Sequence, residues 1–210
     1  MVLRFDEPSL VLDLERLQPS FRAVFAAAVA ERMLPGYLTF SHRTERGDPT
    51  ALSSILEHLW RDIEGQPTSE RQGEENIALA MNLMPREEEG SWAPEQAWAE
   101  DTVSAVAYSL RCKQNGRAQE AAWAARRAYE ALDHFVITTE AININEPGAE
   151  EKILSNPLIQ AELSRQQRDL DELQSANSRD VSQVASQMRE RAKAESEIFF
   201  DGHHDCPPKG

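Results

Sequence analysis

The chain has 210 residues, 40% of them hydrophobic, and its 36 acidic and 22 basic residues give a formal net charge of −14 at pH 7. This length is sufficient for one domain with a substantial hydrophobic core. Nucleic acids and anionic membranes attract proteins through basic side chains, so the acidic balance argues against direct binding to either. The acidic excess is uneven, because residues 70–101 hold nine acids and two arginines. We expect a solvated surface there, although a face that binds a basic partner, or one that mimics a nucleic acid, would have the same composition.

Two cysteines, Cys112 and Cys206, are too few for a disulfide framework, so we expect free thiols in a reducing compartment. Acidic residues interrupt the apolar positions near the N-terminus, and we expect no signal-peptide core there. No segment approaches the roughly 18 uninterrupted apolar residues of a membrane span. These features predict a cytoplasmic protein without membrane association.

The first predicted helices flank a proline. A short helix is expected over Ser9–Gln18, and an alanine-packed helix over Phe21–Leu34. Pro35 and Gly36 follow, and because proline breaks helical hydrogen bonding we expect the helix to stop there. A turn or short helix then carries the aromatic residues up to Phe40.

The third helix has the clearest signals. Asp48 suits the N-cap, Pro49 the first helical position and Gly65 the C-terminal cap. Apolar residues recur between them at steps of three and four, which predicts one buried face. This face consists of Leu52, Ile55, Leu56, Leu59, Trp60 and Ile63.

Further helices are predicted around residues 77–83, from Pro94 to about Lys113, over about Arg117–Ala141, and from Leu158 towards Ile198. The last is the longest, and its apolar positions thin out to Val181, Val184 and Met188. A stripe this sparse predicts a seam against another chain, a projecting extension or a frayed end. The sequence therefore predicts an all-α, multi-helix up-down bundle forming one domain over residues 1–200, with a long C-terminal helix and a disordered tail over 201–210.

One cluster of charged residues interrupts the predicted core. Stepping by three and four along the alanine-packed helix leads from Phe21 and Phe25 to Glu31 and Arg32, so these charges fall on the apolar stripe. Asp101 lies beside the stripe of a later helix. We expect Arg32 to pair with Asp101 or Glu31 inside the bundle, either to fix helix register or to form a polar pocket.

The same region carries a family resemblance. The segment FAAAVAERMLPGYLTF (residues 25–40), LEHLW (56–60) and NPLIQAEL (156–163) resemble, in this order, the YjaG-like family of uncharacterised bacterial proteins. The likeness covers about residues 10–173, with Gly36 in place of the asparagine usual in that family. The resemblance implies an all-α, bundle-like fold and a bacterial source, and it implies no activity.

The sequence carries no catalytic or metal-binding motif that we can assign. Di-metal helical bundles need Glu-x-x-His pairs, which are absent, and His58 lies on a polar helix face. We expect His134 to be a structural histidine, although it is a stronger candidate for a functional role than His58. Cys112 is expected to be a small buried side chain rather than a nucleophile. We therefore expect no cofactor and no metal.

Two functions stay open at this point. One is a non-enzymatic protein that acts through a protein partner or through self-association as a homodimer. The other is a small-molecule-binding protein or enzyme that uses a polar pocket between helices. Its candidate residues are Glu31, Arg32, Asp101 and His134.

Overall fold

The computed structural model describes residues 2–86, 94–176 and 180–199, and these parts of the chain form nine α-helices and no strand. In chain order the helices are α1 Glu7–Glu15, α2 Pro19–Thr44, α3 Pro49–Ile63, α4 Glu70–Asn82, α5 Pro94–Asn115, α6 Ala118–Thr139, α7 Ala149–Leu154, α8 Pro157–Ser175 and α9 Val181–Phe199. The all-α fold class predicted from the sequence is confirmed.

Helix α2 lies at the centre of the molecule. Every residue from Ala23 to Met33 is buried, so this stretch is surrounded by protein on all sides. Helices α3, α5, α6, α8 and α9 all pack against α2. Its alanines leave room for these neighbours to approach closely, and one continuous apolar core extends from Leu14 in α1 to Ala192 in α9.

The predicted break at Pro35 is wrong, because α2 continues through this residue to Thr44. Tyr37 and Phe40 follow Met33 at helical spacing, and all three are almost fully buried. Burial of these large side chains favours the helical path more strongly than the missing proline N–H opposes it. The proline nevertheless removes one backbone hydrogen bond from the middle of the central helix.

The prediction for α3 is confirmed in detail. The Asp48 carboxylate accepts a hydrogen bond from the Ala51 N–H at 2.9 Å, Pro49 is the first residue, and Gly65 has a φ of +97°. All six residues of the predicted apolar face are buried. Helix α4 begins earlier than expected, at Glu70, because the Ser69 hydroxyl caps it.

The segment predicted as one long C-terminal helix is two helices, α8 and α9. The sparse stripe on α9 is not a seam to another chain, because Val184, Ala185 and Met188 are buried within this chain. Helix α9 packs along α2, whose small side chains let a narrow stripe make close contact. The last described helix is therefore part of the core.

No helix in the described ranges has the length and apolar character needed to cross a membrane. The predicted disordered tail, residues 201–210, lies outside the described residues. So do residues 87–93 of the acidic segment over residues 70–101.

Candidate functional site

Glu31 is held by a tryptophan of the neighbouring helix. The Trp60 indole Nε1–H of α3 donates to Glu31 Oε2 at 2.7 Å, and both side chains are buried. No second hydrogen bond to this carboxylate occurs within the described residues. Pro35 has no N–H, so the main-chain carbonyl of Glu31 also loses the donor that a residue four positions later normally supplies.

A cleft of about 130 Å³ opens beside this carboxylate, between α2, the start of α3 and the end of α9. We call it the Glu31 cleft. Its lining consists of Glu31, Leu34, Pro35, Tyr37, Leu38, Pro49, Leu52, Ser53 and Ser196. The cleft therefore combines mostly apolar walls with one acidic residue, two serines and one aromatic residue.

The Tyr37 ring is fixed at the wall of this cleft by its hydroxyl. That hydroxyl donates to the Leu83 carbonyl at 3.0 Å and accepts from the Asp48 N–H at 3.3 Å. A side chain at residue 47 would collide with it, since a Cβ on Gly47 would lie 2.7 Å from the hydroxyl oxygen. The wall is thus built by α2 together with the turn before α3.

The desolvation of the Glu31 carboxylate favours binding of a cation. Burial raises the pKa of the Glu31 carboxyl, although the Trp60 hydrogen bond and the positive charges of Lys193 and Arg189 act to lower it. A desolvated carboxylate gains most from a cation that approaches through the cleft.

Arg32, the next residue, points into a closed ionic cluster. Its Nε and Nη2 atoms donate to the two carboxylate oxygens of Glu162 at 3.1 and 3.0 Å, and Nη1 donates to Asp169 at 2.8 Å. All three side chains are at most 1% exposed. Burial alone would lower the pKa of the Arg32 guanidinium, but the carboxylates of Glu162 and Asp169 hold it above its ordinary value. This arginine is permanently charged and paired.

A second layer of charges surrounds this pair. Arg168 bridges Asp169 and Glu195 at 2.9 and 2.7 Å, and Arg191 contacts Asp169 at 3.0 Å. We call the whole set the Arg32 network. Its members are Arg32, Arg165, Arg168, Arg191, Glu162, Asp169, Glu172 and Glu195. Four positive and four negative side chains leave it formally neutral, and it joins α2, α8 and α9.

The predicted pairing of Arg32 with Asp101 or Glu31 is wrong. Asp101 lies on α5 and binds Arg127 of α6 at 3.1 Å. Burial raises the pKa of Asp101 to about 6 despite the lowering effect of Arg127. The acids that do reach Arg32 come from α8, because the side chain of residue 32 is rotated by about 100° from residue 31 around the helix axis.

The remaining candidates lie apart from both sites. His134 is half-buried on α6 beside Asp133, whose pKa burial raises. His58 is exposed, as expected. Cys112 is fully buried, and burial raises the pKa of its thiol to about 12, which suits a core side chain rather than a nucleophile. Within the described ranges, no three His, Cys, Asp or Glu side chains are placed to hold a metal ion.

A larger cleft, of about 320 Å³, lies between α3, α4 and α5. Its lysine is already paired with one of its carboxylates. Lys113 Nζ lies 2.8 Å from Asp62, and the Thr68 hydroxyl donates to the same carboxylate at 2.7 Å. In this cleft Asp62 has partners and Glu70 is exposed, whereas the Glu31 carboxylate is buried with one hydrogen bond.

The sequence contained a signal for the missed acids. Glu162, Gln166 and Asp169 fall on the buried stripe of α8, and all three are buried. This is the same kind of polar interruption that drew attention to Glu31 and Arg32. Applied to α8, the argument would have found the partners of Arg32.

Residues 10–197 match a family model described as a protein of unknown function, DUF416. The fold is similar to the crystal structure of a DUF416 family protein from Shewanella baltica OS155, with a TM-score of 0.75 and 20% sequence identity. That match covers 87% of this chain and 92% of the other chain. An identity this low supports a shared fold alone. No curated protein matches the sequence.

Proposed function

This chain belongs to the DUF416 family, and we propose that it is a non-enzymatic helical-bundle protein that acts by binding a positively charged group in the Glu31 cleft. The carboxylate of Glu31 carries this proposal. One of its oxygens accepts a hydrogen bond from Trp60, and the cleft gives a ligand access to Glu31. A cation in the cleft would complete the solvation that burial has removed from this acid.

Catalysis at Arg32 is the less favoured alternative. A substrate that bound its guanidinium would have to displace Glu162 or Asp169, and the displaced carboxylate would then lose its fully buried cationic partner. Asp101 is bound to Arg127 on another pair of helices, so it does not add a catalytic acid beside Arg32. The geometry therefore favours binding at Glu31 over chemistry at Arg32.

The Trp60 indole N–H offers a direct test, because it touches Glu31. Its cross-peak in a ¹⁵N–¹H spectrum of the full chain is assigned by its loss in Trp60→Phe. We expect butylammonium chloride to shift this cross-peak saturably, and sodium butyrate, of similar size and opposite charge, to leave it in place at equal ionic strength. An equal response to both, or to neither, would contradict the proposal.

Two variants sharpen this test. Glu31→Gln keeps an oxygen that accepts from Trp60 but removes the charge, so the response to butylammonium should be lost. Asp101→Asn also neutralises a mostly buried carboxylate, but outside the cleft, so the response should persist there. A response that survives Glu31→Gln would show that the cation binds elsewhere.

Other assignments stay predictions. Membership of the YjaG-like family rests on the ERM-x-P-x-Y pattern at residues 31–37. The single domain over residues 1–200 and the cytoplasmic location rest on composition and patterning. Self-association as a homodimer is tested by light scattering of the full chain, whose monomer mass is 23.6 kDa.

A further inference from the structure

We propose that the occupant of the Glu31 cleft is a lysine side chain presented by a partner protein. This rests on the proposed function, namely binding of a cation in that cleft, and it adds which cation and from which source. Three features of the cleft lead to it, namely its size, its acceptor geometry and the surface around its mouth.

The size excludes a large ligand. Typical small-molecule sites enclose about 300 to 1,000 Å³, whereas a dry cavity of about 150 Å³ accepts one benzene molecule. The Glu31 cleft, at about 130 Å³, is therefore the size of a single side chain. Its apolar wall suits an aliphatic stem, and the carboxylate suits a charged end.

The acceptors favour an ammonium over a guanidinium. Arginine binds carboxylates best with two parallel hydrogen bonds to both oxygens. In Glu31 one oxygen already accepts from Trp60 at 2.7 Å, so a guanidinium in this two-point arrangement would have to share that oxygen with the indole. An ammonium donates in three directions, and two serines, Ser53 and Ser196, line the same space.

The mouth of the cleft favours a protein over a free amine. Leu38 is 57% exposed at the mouth, and Leu34 and Pro35 beside it are half-buried. A free amine would leave this apolar rim in water, whereas a polypeptide carrying the lysine would cover it. The net charge of −14 attracts basic proteins over longer distances.

The charges that face Glu31 from its neighbours also bear on the proposal. Arg189 of α9 is held by Glu57 and Glu64 of α3 and its cap, and Arg32 is held by α8. Lys193 is exposed on α9, and its charge acts to lower the pKa of Glu31. Lys193 is thus an internal competitor, and Lys193→Gln should tighten the binding of an external lysine.

The test compares blocked tripeptides on the full chain, with the Trp60 indole cross-peak as the signal. The probes are acetyl-Gly-Lys-Gly-amide, the same peptide with arginine, and the same peptide with N-acetylated lysine, together with butylammonium. We expect the lysine peptide to bind more tightly than the arginine peptide and than butylammonium, and the acetylated peptide not to bind. Glu31→Gln should weaken the lysine peptide about tenfold, because it removes a charge-assisted hydrogen bond.

Each of the other outcomes contradicts one part of the proposal. If the arginine peptide binds as well as the lysine peptide, the choice of lysine is wrong, while cation binding stands. If butylammonium binds as tightly as the lysine peptide, the protein source is wrong. If no cation moves the cross-peak, the proposed function itself fails, and this inference fails with it.

A steric variant keeps the test decisive if Glu31→Gln disturbs the fold. Ser53 is exposed and lines the cleft, so Ser53→Leu should close the mouth and abolish binding of the lysine peptide. Ser54 is the adjacent exposed serine of α3 and does not line the cleft, so Ser54→Leu should leave binding unchanged. Equal behaviour of the two variants would place the peptide elsewhere on the protein.

Discussion

Glu31 and Arg32 are neighbours in the sequence, are both buried in the same helix, and meet opposite surroundings. Arg32 faces α8 and α9, where two carboxylates bind it directly and three more arginines complete a neutral network. Glu31 faces α3, where a single indole N–H binds one of its oxygens and a cleft opens beside it.

The difference shows that burial alone does not identify a functional charge. A buried charge that is matched by opposite charges holds helices together, and it has no capacity left for a ligand. A buried charge with one neutral partner is under-solvated, and this deficit is what a ligand of opposite sign can fill. The comparison predicts that removing each charge will have a very different effect on stability.

The largest expected effect is at Arg32. Arg32→Met removes the buried cation that binds both oxygens of Glu162 and one oxygen of Asp169, so the free energy of unfolding should fall by about 3 to 5 kcal/mol. Urea denaturation at pH 7 measures this change. Adding Glu162→Gln to Arg32→Met should cost less than the sum of the single substitutions, because one stranded charge is removed as well.

Arg126→Met is the matched control. Arg126 forms ion pairs with Glu130 and Glu7 but its side chain is 45% exposed, so its loss should change the free energy of unfolding by less than about 1 kcal/mol. Equal effects of the two substitutions would mean that the Arg32 network is no more important than a surface ion pair.

Asp101 gives an intermediate case, because it is mostly buried and is paired with one arginine. Its pKa of about 6 in the folded protein lies above its ordinary value of 3.8. The folded state therefore holds this proton more tightly than the unfolded state, and stability decreases as pH rises from about 4 to about 6. The expected loss is up to about 3 kcal/mol.

The comparison with Asp101→Asn isolates this effect, since other acids titrate in both proteins. The free energy of unfolding of the natural protein, relative to that of the variant, should be higher at pH 4 than at pH 7. A difference that is constant between these pH values would show that the Asp101 carboxyl is not desolvated.

The fold was predictable wherever local signals and burial agreed. In α3 the cap at Asp48, the proline after it and the apolar spacing all indicate one helix, and the structure has it. At Pro35 the local signal and burial disagree, and burial of Tyr37 and Phe40 decides the path. The balance between the two depends on neighbours that are distant in sequence, so local sequence patterns do not predict it.

The site was predictable only in part. The apolar spacing placed Glu31 and Arg32 in the core, but their partners depend on how the helices rotate and cross. Trp60, which binds Glu31, was predicted only as a core side chain, and Glu162 lies 130 residues from Arg32. Pairings over such separations follow from helix packing, which the pattern of one helix does not contain.

Pro35→Ala tests the effect of the backbone hydrogen bond that is missing at the Glu31 carbonyl. The substitution restores an N–H that can donate to the Glu31 carbonyl, so the free energy of unfolding should rise by about 1 to 2 kcal/mol. Pro157 stands at the first position of α8, where no N–H is needed, and Pro157→Ala should lower it by about 0.4 to 1 kcal/mol. A loss of stability in Pro35→Ala would show that packing of the proline ring outweighs the hydrogen bond.

The smallest expected effect on stability is at Glu31, next to the residue with the largest. Glu31→Gln retains an oxygen for the Trp60 indole and removes a charge that burial disfavours, so the free energy of unfolding at pH 7 should change by no more than about 1 kcal/mol. Urea denaturation with the Arg32 variants as reference measures it. A loss as large as that of Arg32→Met would mean that the Glu31 charge is structural. A small change combined with loss of the butylammonium response would mean instead that the protein keeps this charge, against the cost of burying it, for what enters the Glu31 cleft.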